Sequence, residues 1–533
     1  MTVNVPGIIG IVIFYLLVLA VGIWAGRKSI KSTNTDELFL ANRNLGMILS
    51  SLTIAATGIG AAYINGTAEE MAREGFLWVQ APFGYMTGIA IAAIVYARKL
   101  RRMGYVTIFD PIQEKVGSRM GGLLFFPELL GELFWEAAIL VALGTSLSVI
   151  LDMDSTIAII ISACVAVVYT FFGGLYSVAY TDVIQLGCIV LGLVLSIPFA
   201  WANDAVDVSR IRDDWVGHIP ANKVGVYIDT YCMLIGGGIP WQSYYQRALA
   251  CQTPSIAMWS SLIGVVITVL MAIPPTIVGV IGASTDWNAT SYDGEIPIPP
   301  EKLVFILPMV LQYLCPLAVS VIGIGAVSAA GMSSTDSIIL ATGSVFSKNI
   351  YKNIFRPQAT EREIIWVLRI SILVCGIIGT VIAITVNSVY GLFTLCADLM
   401  YVILFPQLTC VLWVNFANTY GSLSGFLLGL SLRVLGGEKL LKLPPVIKFP
   451  FFDEQLGQLF PFKSFAMICS YIGIIGVSFV TDRMFRNGYV PQKYDIFGCI
   501  ERSKTKKRNT PNDTKTEDNE KTMPLDVYND ADH

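Results

Sequence analysis

The chain has 533 residues, of which 54% are hydrophobic and only 14% charged, against about 25% charged in an ordinary globular domain. Soluble packing is therefore a poor explanation, and a bilayer is the better solvent. A net charge of −3 is too small to suggest a nucleic-acid partner.

The first apolar run, Pro6 to Ala25, lacks a basic leader and is followed at once by Arg27, Lys28 and Lys31, so it reads as a retained helix whose trailing loop is cytoplasmic. Further spans are expected at about 46–71, 76–97, 121–150, 155–173, 175–200, 224–248, 255–283, 316–346, 363–386, 389–414, 419–436 and 464–485, each an apolar run of bilayer length between polar breaks. That makes thirteen transmembrane helices and an all-α integral membrane fold. Threading them puts Arg98, Lys99, Arg101, Arg102, Lys348, Lys352 and Arg356 on the cytoplasmic side, with the amino terminus outside. Residues 1–486 form the membrane domain. Residues 487–533 form a cytoplasmic tail, largely disordered from about Glu501 because it is polar and nearly devoid of apolar residues, and suited to trafficking partners. Asn288 lies in an outside loop within an Asn-Ala-Thr sequon and is a glycosylation candidate, whereas the sequon at Asn512 falls inside.

Two glycine-rich interruptions stand out: Thr57-Gly58-Ile59-Gly60 in the second span and Gly236-Gly237-Gly238-Ile239-Pro240 in the seventh. Five spans separate them, so the two helices run in opposite directions, as an inverted repeat requires. Unwound backbone inside hydrocarbon is tolerated only where protein or a water-filled cavity satisfies it; such breaks mark ion and substrate sites at the bilayer midplane. Close packing through small residues is the alternative for either break alone.

Acids inside spans are costly and mark a pathway or a partner. Asp182, Asp229, Asp336 and Asp398 are of this kind. Glu128, Glu132 and Glu136 recur every four residues beside Trp135, on one helix face, and suggest a cation path; for Glu128 a solvated cytoplasmic end is an equally good reading. The adjacent hydroxyls Ser333 and Ser334 offer neutral oxygen ligands to a hard cation such as Na⁺. His218 and His533 both lie outside the spans, which argues against a histidine metal centre, and no CxxC pair or nucleophile with its base suggests an enzyme.

The string from Gly173-Gly174-Leu175 through Ala179-Tyr180-Thr181-Asp182 to Gln185 resembles the signature of sodium/solute symporters. The segments Tyr63-Ile64-Asn65-Gly66-Thr67-Ala68-Glu69, Ile239-Pro240-Trp241-Gln242 and Leu311-Gln312-Tyr313-Leu314-Cys315-Pro316 are similar to the high-affinity choline transporter branch. The resemblance runs to about Phe485. It implies a LeuT-type 5+5 inverted-repeat core, Na⁺ coupling, Cl⁻ dependence, and uptake of choline or a related small organic cation by alternating access across the plasma membrane, with cycling through synaptic or endosomal vesicles and a homo-oligomer as further expectations. It implies a sodium site of Thr53, Ala56, Ala330, Ser333 and Ser334 with Asp182 nearby, and a substrate site of Tyr85, Trp135 and Trp241, to which Glu136 and Phe393 are added here as departures from the family pattern. Choline has no N–H donor, so aromatic faces must hold its ammonium. Gly58 and Phe393 stand where the resemblance expects tryptophans, and Glu128 and Glu136 where it expects apolar residues. The sequence thus leaves open a symporter for an amine bearing N–H donors, or a non-transporting paralogue acting as a ligand sensor.

Overall fold

The computed structural model describes residues 35–499, apart from 152, 173, 174, 208, 210–214 and 387, together with Leu16 and Ala20. Most of the first expected span, the Gly173-Gly174 pair and the tail beyond residue 499 lie outside the described residues.

The described chain is helical, and β-pairing is confined to isolated bridges such as Leu45 with Cys251. A short α1 (Thr35–Leu40) precedes α2 (Met47–Gly58) and α3 (Ala61–Glu74). These are followed by α4 (Phe76–Arg102), α5 (Phe109–Val116), α6 (Ser118–Leu151), α7 (Ser155–Phe172) and α8 (Leu175–Trp201). The next group is α9 (Val224–Gly238), α10 (Gln242–Leu249), α11 (Pro254–Ala283), α12 (Ile306–Leu314) and α13 (Leu317–Phe355). The last four are α14 (Glu361–Thr385), α15 (Val389–Trp413), α16 (Thr419–Leu435) and α17 (Phe462–Arg486). Side-chain caps fix several starts. Thr360, Ser388 and Asn418 accept the N–H of the residue three positions on, satisfying donors that a helix leaves free in its first turn.

Among the described residues seven helices are long and apolar enough to cross a membrane alone, and eight if the bent pair α2–α3 counts as one span. Their outer faces are apolar. On α14, Trp366, Ile370, Ile377 and Val381 are each 57% exposed, a stripe that water would penalise and lipid tails accept. The interior is set by α13 and α15, 72% and 78% buried over their apolar stretches, whereas α17 is 28% buried and peripheral. Around them α8 packs on α13, α6 on α15, α2 on α11 and α9 on α4.

Three acids noted in the sequence have structural partners. Asp229 accepts the backbone N–H groups of Lys463 and Ser464 (3.1 and 2.7 Å) and so caps the start of α17. Asp398, 1% exposed, pairs with the buried Arg433 of α16, whose Nε lies 2.5 Å from its Oδ2. Asp336 accepts from the Thr170 hydroxyl through one oxygen, and its other oxygen has no partner among the described residues.

Candidate functional site

Both interruptions break their helices. Between α2 and α3 the chain leaves helical geometry at Ile59 (ψ 70°) and Gly60 (ψ 172°), and the two helices bend by 49°. Glycine is required at position 60 by proximity: an added Cβ would lie 2.9 Å from the Ser334 Cβ on α13. The Ser334 hydroxyl in turn donates to the Thr57 carbonyl at 3.4 Å, a weak bond to backbone freed by the break. The second break follows the same logic. α9 stops at Gly238, Pro240 brings no N–H, Trp241 is extended (ψ 110°), and α10 starts at Gln242. Gly237 sits against the backbone of Ala397 on α15 and Gly238 against Tyr85, so the glycines also let the broken helix approach its neighbours.

Between the breaks lies an aromatic pocket. Its walls include Gly58, Tyr63, Tyr85, Trp135, Trp241 and Phe393, and the rest of its lining is Met86, Gly131, Gly237, Cys396 and Met400. Tyr85 and Phe393 stack at 5.1 Å and 4°, Trp135 tilts on Phe393 at 4.5 Å, and Trp135 meets Trp241 edge-on at 6.5 Å. The Tyr85 hydroxyl donates to the Phe393 carbonyl at 2.9 Å, which fixes the ring's face toward the pocket. The centre of a water molecule reaches only about 20 Å³ between these walls. That is room for roughly one water. An organic cation needs the rings or the flexible Met86 and Met400 to swing aside.

The structure thus brings Tyr85, Trp135, Trp241 and Phe393 together, and Glu136 does not join them. Its carboxyl lies against α14, where a Cβ added at Gly379 would sit 2.6 Å from it, and it has no hydrogen-bond partner among the described residues. The reason is rotational: neighbouring helix residues point about 100° apart, so Trp135 can face the pocket while Glu136 faces away. The acid tied to the pocket is Glu132, which accepts from Ser243 Oγ at 2.8 Å and Trp241 Nε1 at 3.3 Å and thereby links α6 to the second break. Glu128 is fully buried and has no hydrogen-bond partner among the described residues, so the solvated alternative for it does not hold.

Of the residues expected to hold sodium, Thr53 and Ser333 meet at Asp182. Thr53 and Ala56 are buried on α2, and Ala330, Ser333 and Ser334 on α13. From α8, Asp182 accepts the Thr53 hydroxyl on one carboxylate oxygen and the Ser333 hydroxyl on the other, joining three helices through oxygen atoms. A hard cation takes oxygen donors of this kind. Ser334 points to the break instead.

Arg247 was not singled out in the sequence, although a cation inside an expected span is itself a signal. It is the largest fully buried side chain among the described residues. Its guanidinium donates to the Ser243 carbonyl, the Gln246 side chain and Ser337. Ser243 joins it to Glu132, since its hydroxyl donates to that acid while its carbonyl accepts from Arg247. Through Ser337, which donates to the Ser333 carbonyl, and through Ser243 on Glu132, Arg247 puts one polar network between the sodium residues and the pocket.

Residues 38–429 match the Sodium:solute symporter family. The chain is 50% identical to the high-affinity choline transporter 1 of Drosophila melanogaster over 93% of its own length and 82% of the relative's. It is 44% identical to the human high affinity choline transporter 1, over 94% and 89% respectively. The chain belongs to the sodium:solute symporter family. Its fold is similar to that of a Na⁺-coupled sialic acid symporter in a substrate-bound outward-open state, with a TM-score of 0.70 over 90% of this chain and 97% of the other at 17% identity. A nucleobase-cation-symport-1 family transporter in a closed conformation gives 0.54 over 84% and 94% at 13% identity. Family membership makes the chain a multi-pass membrane transporter and not an enzyme.

Proposed function

We propose that this protein carries choline into the cell together with Na⁺, by alternating access across the plasma membrane. The observation that carries the substrate is the pocket lining: five aromatic rings, and no acid among the described lining residues. A quaternary ammonium is held by ring faces and cannot use a carboxylate as a hydrogen-bond acceptor, while an amine with N–H groups left in this pocket would lose those bonds. Glu136, whose carboxyl lies against α14, does not support the alternative of an N–H-bearing amine. The names of the relatives at 50% and 44% identity support the same substrate.

Thr53, Ala56, Ala330, Ser333 and Ser334, with Asp182, hold Na⁺ in this reading, and Tyr85, Trp135, Trp241 and Phe393 hold choline. An inside-negative potential drives each positive charge inward by about 2.3 kcal/mol per 100 mV, so ion and substrate reinforce one another. The architecture proposed is thirteen spans around a 5+5 inverted repeat, with the amino terminus outside. The boundary near residue 486 separates the membrane domain from a cytoplasmic tail that reaches trafficking partners and supports vesicle cycling. Asn288, exposed in a short turn after α11, is proposed as glycosylated. Cl⁻ dependence rests on the resemblance alone. Uptake of a labelled panel (choline, a primary amine, a tertiary amine and a sugar), with and without Na⁺, in cells expressing the protein tests the reading. Choline accumulation that requires Na⁺ is expected, and transport of only the primary amine or the sugar contradicts it.

A further inference from the structure

A second cavity opens where α5 passes into α6, with about 490 Å³ accessible to the centre of a water molecule. It shares no residue with the aromatic pocket. Its apolar walls are Met120 and Leu123 of α6, Leu423 of α16, and Ile496 and Phe497 from the segment after α17, with Arg119 at the rim. Arg119 is exposed and makes no hydrogen bond or ion pair among the described residues.

Arg119, Leu123, Phe126 and Leu130 follow at intervals of four, three and four, so they share one stripe of α6. Phe126 is 59% and Leu130 39% exposed. A solvent-facing helix has no use for a cation at the foot of an exposed apolar stripe, whereas a phospholipid matches it in both chemistry and order: phosphate first, then acyl chain. The surroundings are basic. The Lys115 ammonium donates to the Asn415 carbonyl nearby at 3.0 Å, and Arg483 and Arg486 end α17 at the same end of the bundle. In sequence, Arg502, Lys504, Lys506, Lys507 and Arg508 follow soon after Phe497, with Glu501 the one acid among them. The neighbouring acids are engaged: Glu114 accepts from Tyr105, Asp482 pairs with Arg486, and Asp495 accepts from Tyr420. Basic clusters next to the cytoplasmic ends of membrane helices attract anionic lipids.

We propose that this cavity binds an anionic phospholipid of the cytoplasmic leaflet, with its phosphate on Arg119 and an acyl chain along Leu123, Phe126 and Leu130. The proposal rests on the cytoplasmic orientation given above. Native mass spectrometry of the full chain tests it, with added phosphatidylinositol 4-phosphate, phosphatidylcholine or soluble inositol phosphate as the probe. One retained phosphatidylinositol 4-phosphate is expected. Arg119→Gln should weaken its retention about fivefold, the worth of one basic residue near a lipid surface, and Arg119→Lys should keep most of it. Leu423→Trp, which fills the cavity without touching charge, should also weaken it. Equal retention in wild type, Arg119→Gln and Leu423→Trp overturns the proposal. So does equal retention of phosphatidylcholine, full competition by soluble inositol phosphate, or a cross-link showing the carboxyl-terminal tail seated in the cavity. Binding is read without transport, so failure here leaves the choline reading standing, and failure of choline uptake leaves this result interpretable.

Discussion

Replacing Trp241 with alanine tests the pocket where it joins the second break. The indole does two things: it presents an edge and a face near Trp135 at 6.5 Å, and its N–H reaches Glu132 at 3.3 Å. Loss of a desolvated cation–π partner is worth about 2 kcal/mol, or roughly a thirtyfold weaker half-saturation for choline. The hydrogen bond is long, and Glu132 keeps Ser243 at 2.8 Å, so its loss adds little. Trp241→Phe separates the two, since it retains a ring and removes only the donor; it should cost a few-fold at most. The assay is Na⁺-dependent uptake of labelled choline, normalised to protein at the cell surface. An unchanged half-saturation in Trp241→Ala at normal surface abundance refutes the aromatic account. An equal loss in Trp241→Phe shifts the weight from the ring to the Glu132 contact.

Asp182→Asn and Ser333→Ala should each raise the Na⁺ concentration needed for half-maximal uptake by about tenfold or more, measured at saturating choline; an unmoved Na⁺ dependence removes them from the ion site. Gly58→Ala should express and transport near normally, because its nearest neighbours would be 3.5 Å away. Gly60→Ala should lose Na⁺-coupled uptake, because its Cβ presses on Ser334; equal activity of the two variants contradicts the packing at the break. Arg433→Leu should destabilise the purified protein by up to about 3–5 kcal/mol, because the buried Asp398 is left with only the Lys463 ammonium at 3.7 Å, and Asp398→Leu added to it should recover much of that, both read as thermal unfolding in detergent. Near the cytoplasmic end, burial pushes the Asp110 carboxyl up, but the Lys348 ammonium at 2.8 Å and hydrogen bonds from Asn349 and the Val106 N–H hold it below the usual carboxylate range. A depressed folded pKa adds stability above the unfolded value of about 3.9 that is lost as pH falls through the folded one. Asp110→Asn should therefore lower the melting temperature equally at pH 6 and pH 8, and the gap to wild type should shrink below about pH 4.

Much of the architecture is legible in the sequence because lipid imposes a simple rule: long apolar runs, short basic loops, and glycine or proline where a helix must open. Both breaks fall where the Gly58–Gly60 and Gly236–Pro240 strings predict them, since no other residue fits against Ser334 or Ala397. The aromatic members of the pocket are legible through resemblance. What the sequence hides is direction and partnership. The four-residue spacing of Glu128, Glu132 and Glu136 shows a common face, but not that Glu132 bends toward Trp241 while Glu136 meets Gly379. Asp229 and Asp398 look like pathway acids until Lys463, Ser464 and Arg433, distant in sequence, supply their partners. Arg247 is invisible to a search for ligands; its role depends on Ser243 and on Ser337, ninety residues away in sequence, which supply its partners.

The most direct test is accumulation of labelled choline by the purified protein in sealed liposomes under an imposed inward Na⁺ gradient. Concentration of choline above the external level, collapsing when the gradient is dissipated with an ionophore, is the predicted result. Choline that merely equilibrates at the same rate with or without Na⁺, or that does not enter at all, contradicts sodium-coupled transport through the paired breaks.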